Sequence, residues 1–198
     1  MAPGRIDLAR VRKALAGRGP ATGTRSADER SAAVAAVLRS RPEGAEVLLI
    51  RRAAREGDPW SGHMAFPGGR EDEADPDLYH TAVRETHEEV GLDLQRYGSL
   101  LGRLDDIPAI ARGQRVGMNI APFVFELIEE RPLVTNEEVE ETIWAPLSPL
   151  ARGDTTTTVD YVLEGRHLAL PAFDVRGRIV WGLTYRMLES LFAVLEQD

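Results

Sequence analysis

Glu85, Glu88 and Glu89 are the residues whose spacing first suggests chemistry. In a helix each residue turns by about 100°, so Glu89 falls roughly 40° to one side of Glu85 and Glu88 roughly 60° to the other. All three share an arc of about 100°, one face of one helix. Exposed like charges at i,i+4 cost about 0.2–0.5 kcal/mol. Such a face is either a solvated acidic surface, partly offset by Arg84, or a place for a hard cation. Mg2+ and Mn2+ prefer oxygen ligands, and Mg2+ bridges carboxylates to substrate phosphates. Phe66-Pro67-Gly68-Gly69 lies just upstream. A glycine pair lets backbone amides and carbonyls come close to a metal or a phosphate.

The surrounding pattern predicts the elements that must hold this face. Leu78, Ala82, Val83, Thr86 and Val90 recur at helical spacing, and Gly91 sits where a C-cap glycine belongs, so 77–90 reads as a helix. Strands are expected over 31–38, 46–52 and 63–66, with a turn-rich stretch at 56–62. Further strands are expected over 98–107, 116–127, 140–147 and 179–181. Pro122 implies that 116–127 is an edge strand or carries a bulge. The tract 155–158 reads as an edge or a loop. A closing helix is expected over 183–196, striped by Tyr185, Leu188, Leu191, Phe192 and Leu195. Near the start, Ile6, Val11 and Leu15 suit one side of a short packing helix. Strands before, between and after two helices give an α/β class, a mixed sheet sandwiched by helices. The expected division is an N-terminal helix and linker over 1–30 and one domain over 31–198.

Composition narrows the function. The 198 residues suit one domain, 43% hydrophobic and 28% charged. There is no cysteine, which removes disulfides, a thiol nucleophile and Cys-based metal sites. The longest apolar run, 32–38, is too short to span a membrane, so no membrane association is expected. A net charge of −8 argues against nucleic acid as a partner but permits a small phosphorylated substrate with a cation between. Lys13 is the only lysine; the other basic residues are arginines, which bind phosphates bidentately. The first 18 residues lack the apolar core of a secretory signal, and a cytoplasmic location is expected, as a monomer or homodimer.

The run Arg84-Glu85-Thr86-His87-Glu88-Glu89-Val90-Gly91-Leu92, with Gly69 upstream, resembles the Nudix hydrolase signature G-x5-E-x7-R-E-U-x-E-E-x-G-U, U being aliphatic. The box spans 69–92, and Thr86 stands in the first aliphatic position. Gly69 to Arg84 is one residue longer than in the signature, whose early glutamate falls on Pro76. Asp75 or Asp77 must stand in, with Asp75 preferred on a one-residue insertion. The resemblance implies an α/β/α sandwich that cuts a pyrophosphate bond in a nucleoside diphosphate linked to another moiety. It implies Mg2+ or Mn2+ held by Glu85, Glu88, Glu89 and the Gly69 carbonyl, with Arg84 orienting the carboxylates. The general base is Glu85 or a downstream loop residue, and Glu138, in the acid-rich stretch 136–141, is the favoured loop candidate.

Upstream, Leu48-Leu49-Ile50-Arg51-Arg52 and Gly62-His63-Met64-Ala65-Phe66-Pro67-Gly68-Gly69 look like the coenzyme A pyrophosphatase branch, LLTxRSxxxRxxxGxxxFPGG. Arg52 matches the first arginine, but Ile50 and Ala53 replace the threonine and serine. Asp58 occupies the place of the second arginine, with Arg55 the nearest substitute. The resemblance implies coenzyme A or an acyl derivative as substrate. The alternatives are ADP-ribose, a nucleotide sugar or a nucleoside triphosphate, or a binding module without turnover. Arg52, Gly68, Gly69, Arg112, Arg115 and Trp60 are the expected substrate contacts, the last by stacking on a base.

Overall fold

The computed structural model describes residues 4–16, 30–111 and 113–197. Along the chain the elements are α1 (Leu8–Leu15), β1 (Arg30–Arg41), β2 (Gly44–Arg52), β3 (Met64–Ala65), β4 (Gly68–Arg70), α2 (Leu78–Val90) and α3 (Leu94–Tyr97). Next come β5 (Gly98–Arg103), β6 (Ile107–Ala111), β7 (Gln114–Leu127), β8 (Val139–Pro146) and α4 (Leu147–Arg152). The last are β9 (Thr156–Leu163), β10 (Arg166–Val175), β11 (Arg178–Trp181) and α5 (Gly182–Glu196).

The apolar run at 32–38 has no polar alternation because β1 is covered on both faces. Ala32, Val34, Ala36 and Leu38 join one buried cluster with residues of α1 and α5. Ala33, Ala35 and Val37 join a second, with Ala82, Val83 and Val90 of α2. Successive strand side chains point to opposite faces, so one strand supplies both cores. The expected α/β class and mixed sheet between helices are thus what forms: α2 lies on one face, α1 and α5 on the other. The large sheet has eight strands in the order β3-β2-β1-β7-β5, with β4 on β1, β6 on β7 and β8 on β2. β1 and β7 run parallel, whereas the other pairings are antiparallel.

Pro122 does not mark an edge. β7 is central, with β1 on one side and β5 and β6 on the other. The expected single strand over 98–107 is two strands, and their break explains the proline. Arg103 pairs with Phe123 and Ile107 with Ile120, so 104–106 lies opposite Pro122. The Pro122 carbonyl accepts from the Leu104 N–H at 2.9 Å. A residue's N–H and C=O leave a strand on the same side, so the missing donor falls where the ladder is already interrupted.

The pattern also missed β4, α4 and β10. β10 pairs with β9 and β11 in a separate three-stranded antiparallel sheet. What matters for the site is that β1 changes partners. Its C-terminal end, Leu38–Arg41, pairs with β2, while Ala32, Ala33 and Val34 pair with β4. That swap lays Gly68 and Gly69 against β1 beneath α2. No helix among the described residues is long and apolar enough to cross a membrane.

Candidate active site

α2 is fixed at both ends. The Asp77 carboxylate caps its start, accepting the His80 N–H at 3.0 Å, and Gly91 closes it in a left-handed conformation. Thr86 replaces an aliphatic residue at no cost in unpaired polarity, because its buried hydroxyl donates to the Ala82 carbonyl at 2.7 Å. With the helix anchored this way, Glu89 points inward and is 2% exposed. Its carboxylate accepts the Gly68 N–H at 2.8 Å. Burial pushes Glu89 up to about 8, against that hydrogen bond and with help from the charges of Glu85 and Glu138. Burial also raises Glu85, opposed by Arg84.

The two glycines are required by close approach. A Cβ on Gly68, where φ is +151°, would sit 2.6 Å from the Val34 Cα. A Cβ on Gly69 would sit 2.4 Å from the Glu85 carboxyl carbon. Any side chain there would push β4 off β1 or Glu85 out of place.

Arg84 organises the acids. Its Nε and Nη2 donate to the two Asp75 oxygens at 2.9 Å each. Nη1 donates to Glu85 at 2.9 Å and Glu88 at 3.2 Å, and Nη2 also donates to the Arg70 carbonyl at 3.0 Å. Asp75 further accepts the Thr81 hydroxyl at 2.9 Å, and these donors hold its carboxyl far below the usual carboxylate range. The structure therefore separates the two acids that the signature left open. Asp75 grips Arg84, and Asp77 caps the helix.

One cavity of about 550 Å3 gathers much of this together. Its lining is of two kinds. Glu85, Glu89, Glu138, Arg52, Arg55, Arg70, Gly68 and Gly69 form the polar part. Trp60, His63, Met118, Ile120, Trp181 and Leu183 form an apolar and aromatic part. Arg52 is ion-paired with Asp58 at 2.8 Å, and its buried Nε has no hydrogen-bond partner among the described residues. His63 packs against Trp181 with ring centroids 4.7 Å apart and the planes tilted by 53°, and burial lowers its pKa.

Not every expected residue arrives. Glu88 does not line the cavity; its side chain is 52% exposed beside Arg84. Arg115 is no loop residue reaching for phosphates. It stands exposed at the start of β7, paired with Ile110 across the β6–β7 hairpin. Arg112 lies outside the described residues. Asp58, His63 and Trp181 were not expected at the site. His63 sits inside the Gly62–Gly69 match, but nothing local places Trp181, 118 positions later, against its ring.

Among the described residues no three acidic or imidazole side chains converge closely enough to cage an ion. Glu85, Glu88 and Asp75 gather around Arg84 instead, while Glu89 turns to the Gly68 amide. The donor set still suits a hard divalent cation. It is all carboxylate oxygen, a glycine backbone runs against it, and Glu89 is buried with a carboxyl that a neighbouring cation would stabilise as the anion.

Comparison with known proteins shows the family. A model of the NUDIX domain matches residues 29–163. The mitochondrial coenzyme A diphosphatase NUDT8 of Homo sapiens is 33% identical over 189 residues, covering 94% of this chain and 77% of that protein. The uncharacterized Nudix hydrolase NudL of Yersinia pestis is 30% identical, covering 84% of this chain and 80% of its own. A Schizosaccharomyces pombe protein is 40% identical over 116 residues, but the match spans only 35% of its length. A MutT/nudix family protein from Enterococcus faecalis shares the fold, with a TM-score of 0.57, 18% identity, and coverage of 87% of this chain and 64% of that one. With the domain match spanning most of its length, the chain belongs to the Nudix hydrolase family.

Proposed function

We propose that this enzyme hydrolyses the pyrophosphate bond of coenzyme A or an acyl-coenzyme A. Water attacks one phosphorus, the bridging P–O bond breaks, and the products are adenosine 3′,5′-bisphosphate and 4′-phosphopantetheine, which keeps its acyl group when the substrate carries one. The observation that carries the reading is the two-part lining of the cavity. Carboxylates and arginines suit a pyrophosphate with its cations, and the aromatic wall suits a base or an apolar arm. Coenzyme A in particular is supported by the G-x3-FPGG match at Gly62–Gly69 and by the 33% identity to a coenzyme A diphosphatase.

Glu85, Glu89 and the Gly69 carbonyl would hold Mg2+ or Mn2+, and Glu88 would have to turn in from its exposed place beside Arg84 to join them. When bound, the cation neutralises pyrophosphate oxygens and lowers the pKa of the attacking water. The chain's own residues position the reaction. Gly68 and the α2 backbone fix Glu89, Arg84 aims Glu85, and Arg52 presents a guanidinium to the phosphates. Glu138 faces the same cavity from a flexible side chain and accepts the proton from the attacking water. Trp60 and the His63–Trp181 pair hold the adenine or the pantetheine arm.

A hydrolysis panel with coenzyme A, ADP-ribose, a nucleotide sugar and nucleoside triphosphates, in Mg2+ and in Mn2+, tests this, with products resolved by mass. The expected result is the highest kcat/KM for coenzyme A or its acyl form. A clear preference for ADP-ribose or a nucleotide sugar overturns the substrate, and no turnover of any overturns the enzyme.

A further inference from the structure

Three arginine–acid pairs surround the polar part of the site, and they differ in how firmly they are made. Arg84 grips Asp75 bidentately, with the Asp75 side chain 7% exposed. Arg52 holds Asp58, whose side chain is 14% exposed and also accepts the Trp60 N–H at 3.0 Å. Arg55 holds Glu138 by one contact of 2.9 Å, with side chains 63% and 41% exposed.

The backbones under that third pair are fixed. The Ala53 N–H donates to the Glu138 carbonyl at 2.8 Å, and the Glu138 N–H donates to the Asn136 side chain at 2.9 Å. The Arg55 N–H donates to the Ser61 hydroxyl at 2.7 Å. Both side chains line the cavity with Glu85, Glu89 and Arg52. Only the side-chain contact is free to change, while its two ends stay where they are.

We propose that Arg55 is a partner-exchanging residue: it pairs with Glu138 in the free protein and transfers to a phosphate of the substrate, leaving the Glu138 carboxylate unpaired beside the bound pyrophosphate. An exposed single-contact ion pair is worth at most about fivefold in an equilibrium. A guanidinium–phosphate contact is charge-assisted and fits bidentately, so the exchange runs toward the substrate. Arg84 and Arg52 are held by more enclosed acids and are not the ones that switch. The inference rests on the reading that a pyrophosphate occupies this cavity, but not on Glu138 being the base. It predicts that Glu138 competes with the ligand for Arg55.

The test is a double-mutant cycle in equilibrium affinity for α,β-methylene-ADP, whose P–C–P bridge cannot be hydrolysed, measured by calorimetry on the full chain in Mg2+. Arg55→Ala should weaken binding about tenfold, and Arg55→Lys should recover part of that loss by restoring the charge. Glu138→Gln should tighten binding about threefold, because its competition for Arg55 is gone. In the Arg55→Ala background Glu138→Gln should change nothing. An unchanged affinity in Glu138→Gln, or the same change in both backgrounds, overturns the exchange. Failure of the wild type to bind the analogue overturns the pyrophosphate reading instead. Loss of catalysis in Glu138→Gln bears on neither affinity result, so the two ideas fail separately.

Discussion

Glu89 and Glu138 face one cavity, and the protein holds them in opposite ways. Glu89 sits on a thirteen-residue helix capped at both ends, 2% exposed, with its carboxylate on the Gly68 amide. Glu138 sits on a loop, its side chain 41% exposed and, among the described residues, restrained by Arg55. A fixed, desolvated carboxylate is poor at moving a proton on demand but suits a cation, because its position is prepared in advance and a bound cation offsets the burial that disfavours its charge. A mobile, solvated carboxylate holds a cation poorly and can approach a water molecule once substrate is in place. The contrast divides the labour, and each variant below attacks one side of it.

Removing the cation should have the largest effect, since both sides depend on it. EDTA should abolish turnover, and excess Mg2+ or Mn2+ should restore it. Residual activity in chelator, measured by product mass, would remove the reason for burying Glu89.

Glu138→Gln should come next, lowering kcat by about 10²–10⁴-fold without raising KM, the usual range for a general base. Glu137→Gln and Glu141→Gln should stay within about tenfold of wild type; Glu141 is already committed to Arg178, at 2.7 and 3.0 Å. A near-normal kcat for Glu138→Gln at every pH would move the proton to Glu85 and end the contrast as drawn.

Glu89→Gln should lower kcat by about 10²–10³-fold, as when a preorganised electrostatic group is lost. It should also raise the melting temperature of the protein in EDTA. The amide oxygen can still accept the Gly68 N–H, while the cost of burying the carboxylate, or of neutralising it on folding, disappears. A lower melting temperature in EDTA would mean that Glu89 is structural rather than held ready at a cost in stability.

How far this could be read in advance follows from which contacts are local. The acidic arc, the Asp77 and Gly91 caps and the two-faced burial of β1 are legible because each depends on residues within a few positions. The arc misled at one edge. A span of about 100° is wide enough to run from the core to solvent, so Glu89 is buried and Glu88 exposed on one face. β10 was missed because Pro171 interrupts a sequence with little alternation, and its pairing with β9 and β11 decides the matter. Arg115 misled because a glycine-bearing segment looked like a free loop, and the β6–β7 hairpin turns it outward. The His63–Trp181 pair joins distant segments through the packing of β11 beside β3, which no window of sequence contains.

The smallest effect concerns Asp75, which supports the fixed side without lining the cavity. Asp75 takes two of the Arg84 donors, and Arg84 in turn aims Glu85. Asp75→Asn leaves one oxygen acceptor for those two donors and removes one of the three carboxylates around the guanidinium, Glu85 and Glu88 remaining. We expect kcat to fall about tenfold and stability at pH 7 to fall by about 1–2 kcal/mol, the scale of a lost charged hydrogen bond. The pH dependence has a definite sign. The folded-state pKa of Asp75 lies well below that of an unfolded aspartate, about 3.9. Its contribution is therefore full above that value and is lost as pH falls through the folded-state pKa. Wild type and Asp75→Asn should differ most near neutrality and converge in strong acid, in melting curves taken down to the lowest pH at which both still fold. Asp77→Asn is the comparison for an exposed capping acid: asparagine caps a helix about as well as aspartate, so only its surface contact with His80 is weakened and the deficit should be smaller than that of Asp75→Asn. If Asp75→Asn shows the same deficit at every pH, its ion pair with Arg84 is not what steadies this side of the site. Glu85 would then owe its position to its own bond with Arg84 and to the close Gly69 backbone, not to the grip of Asp75.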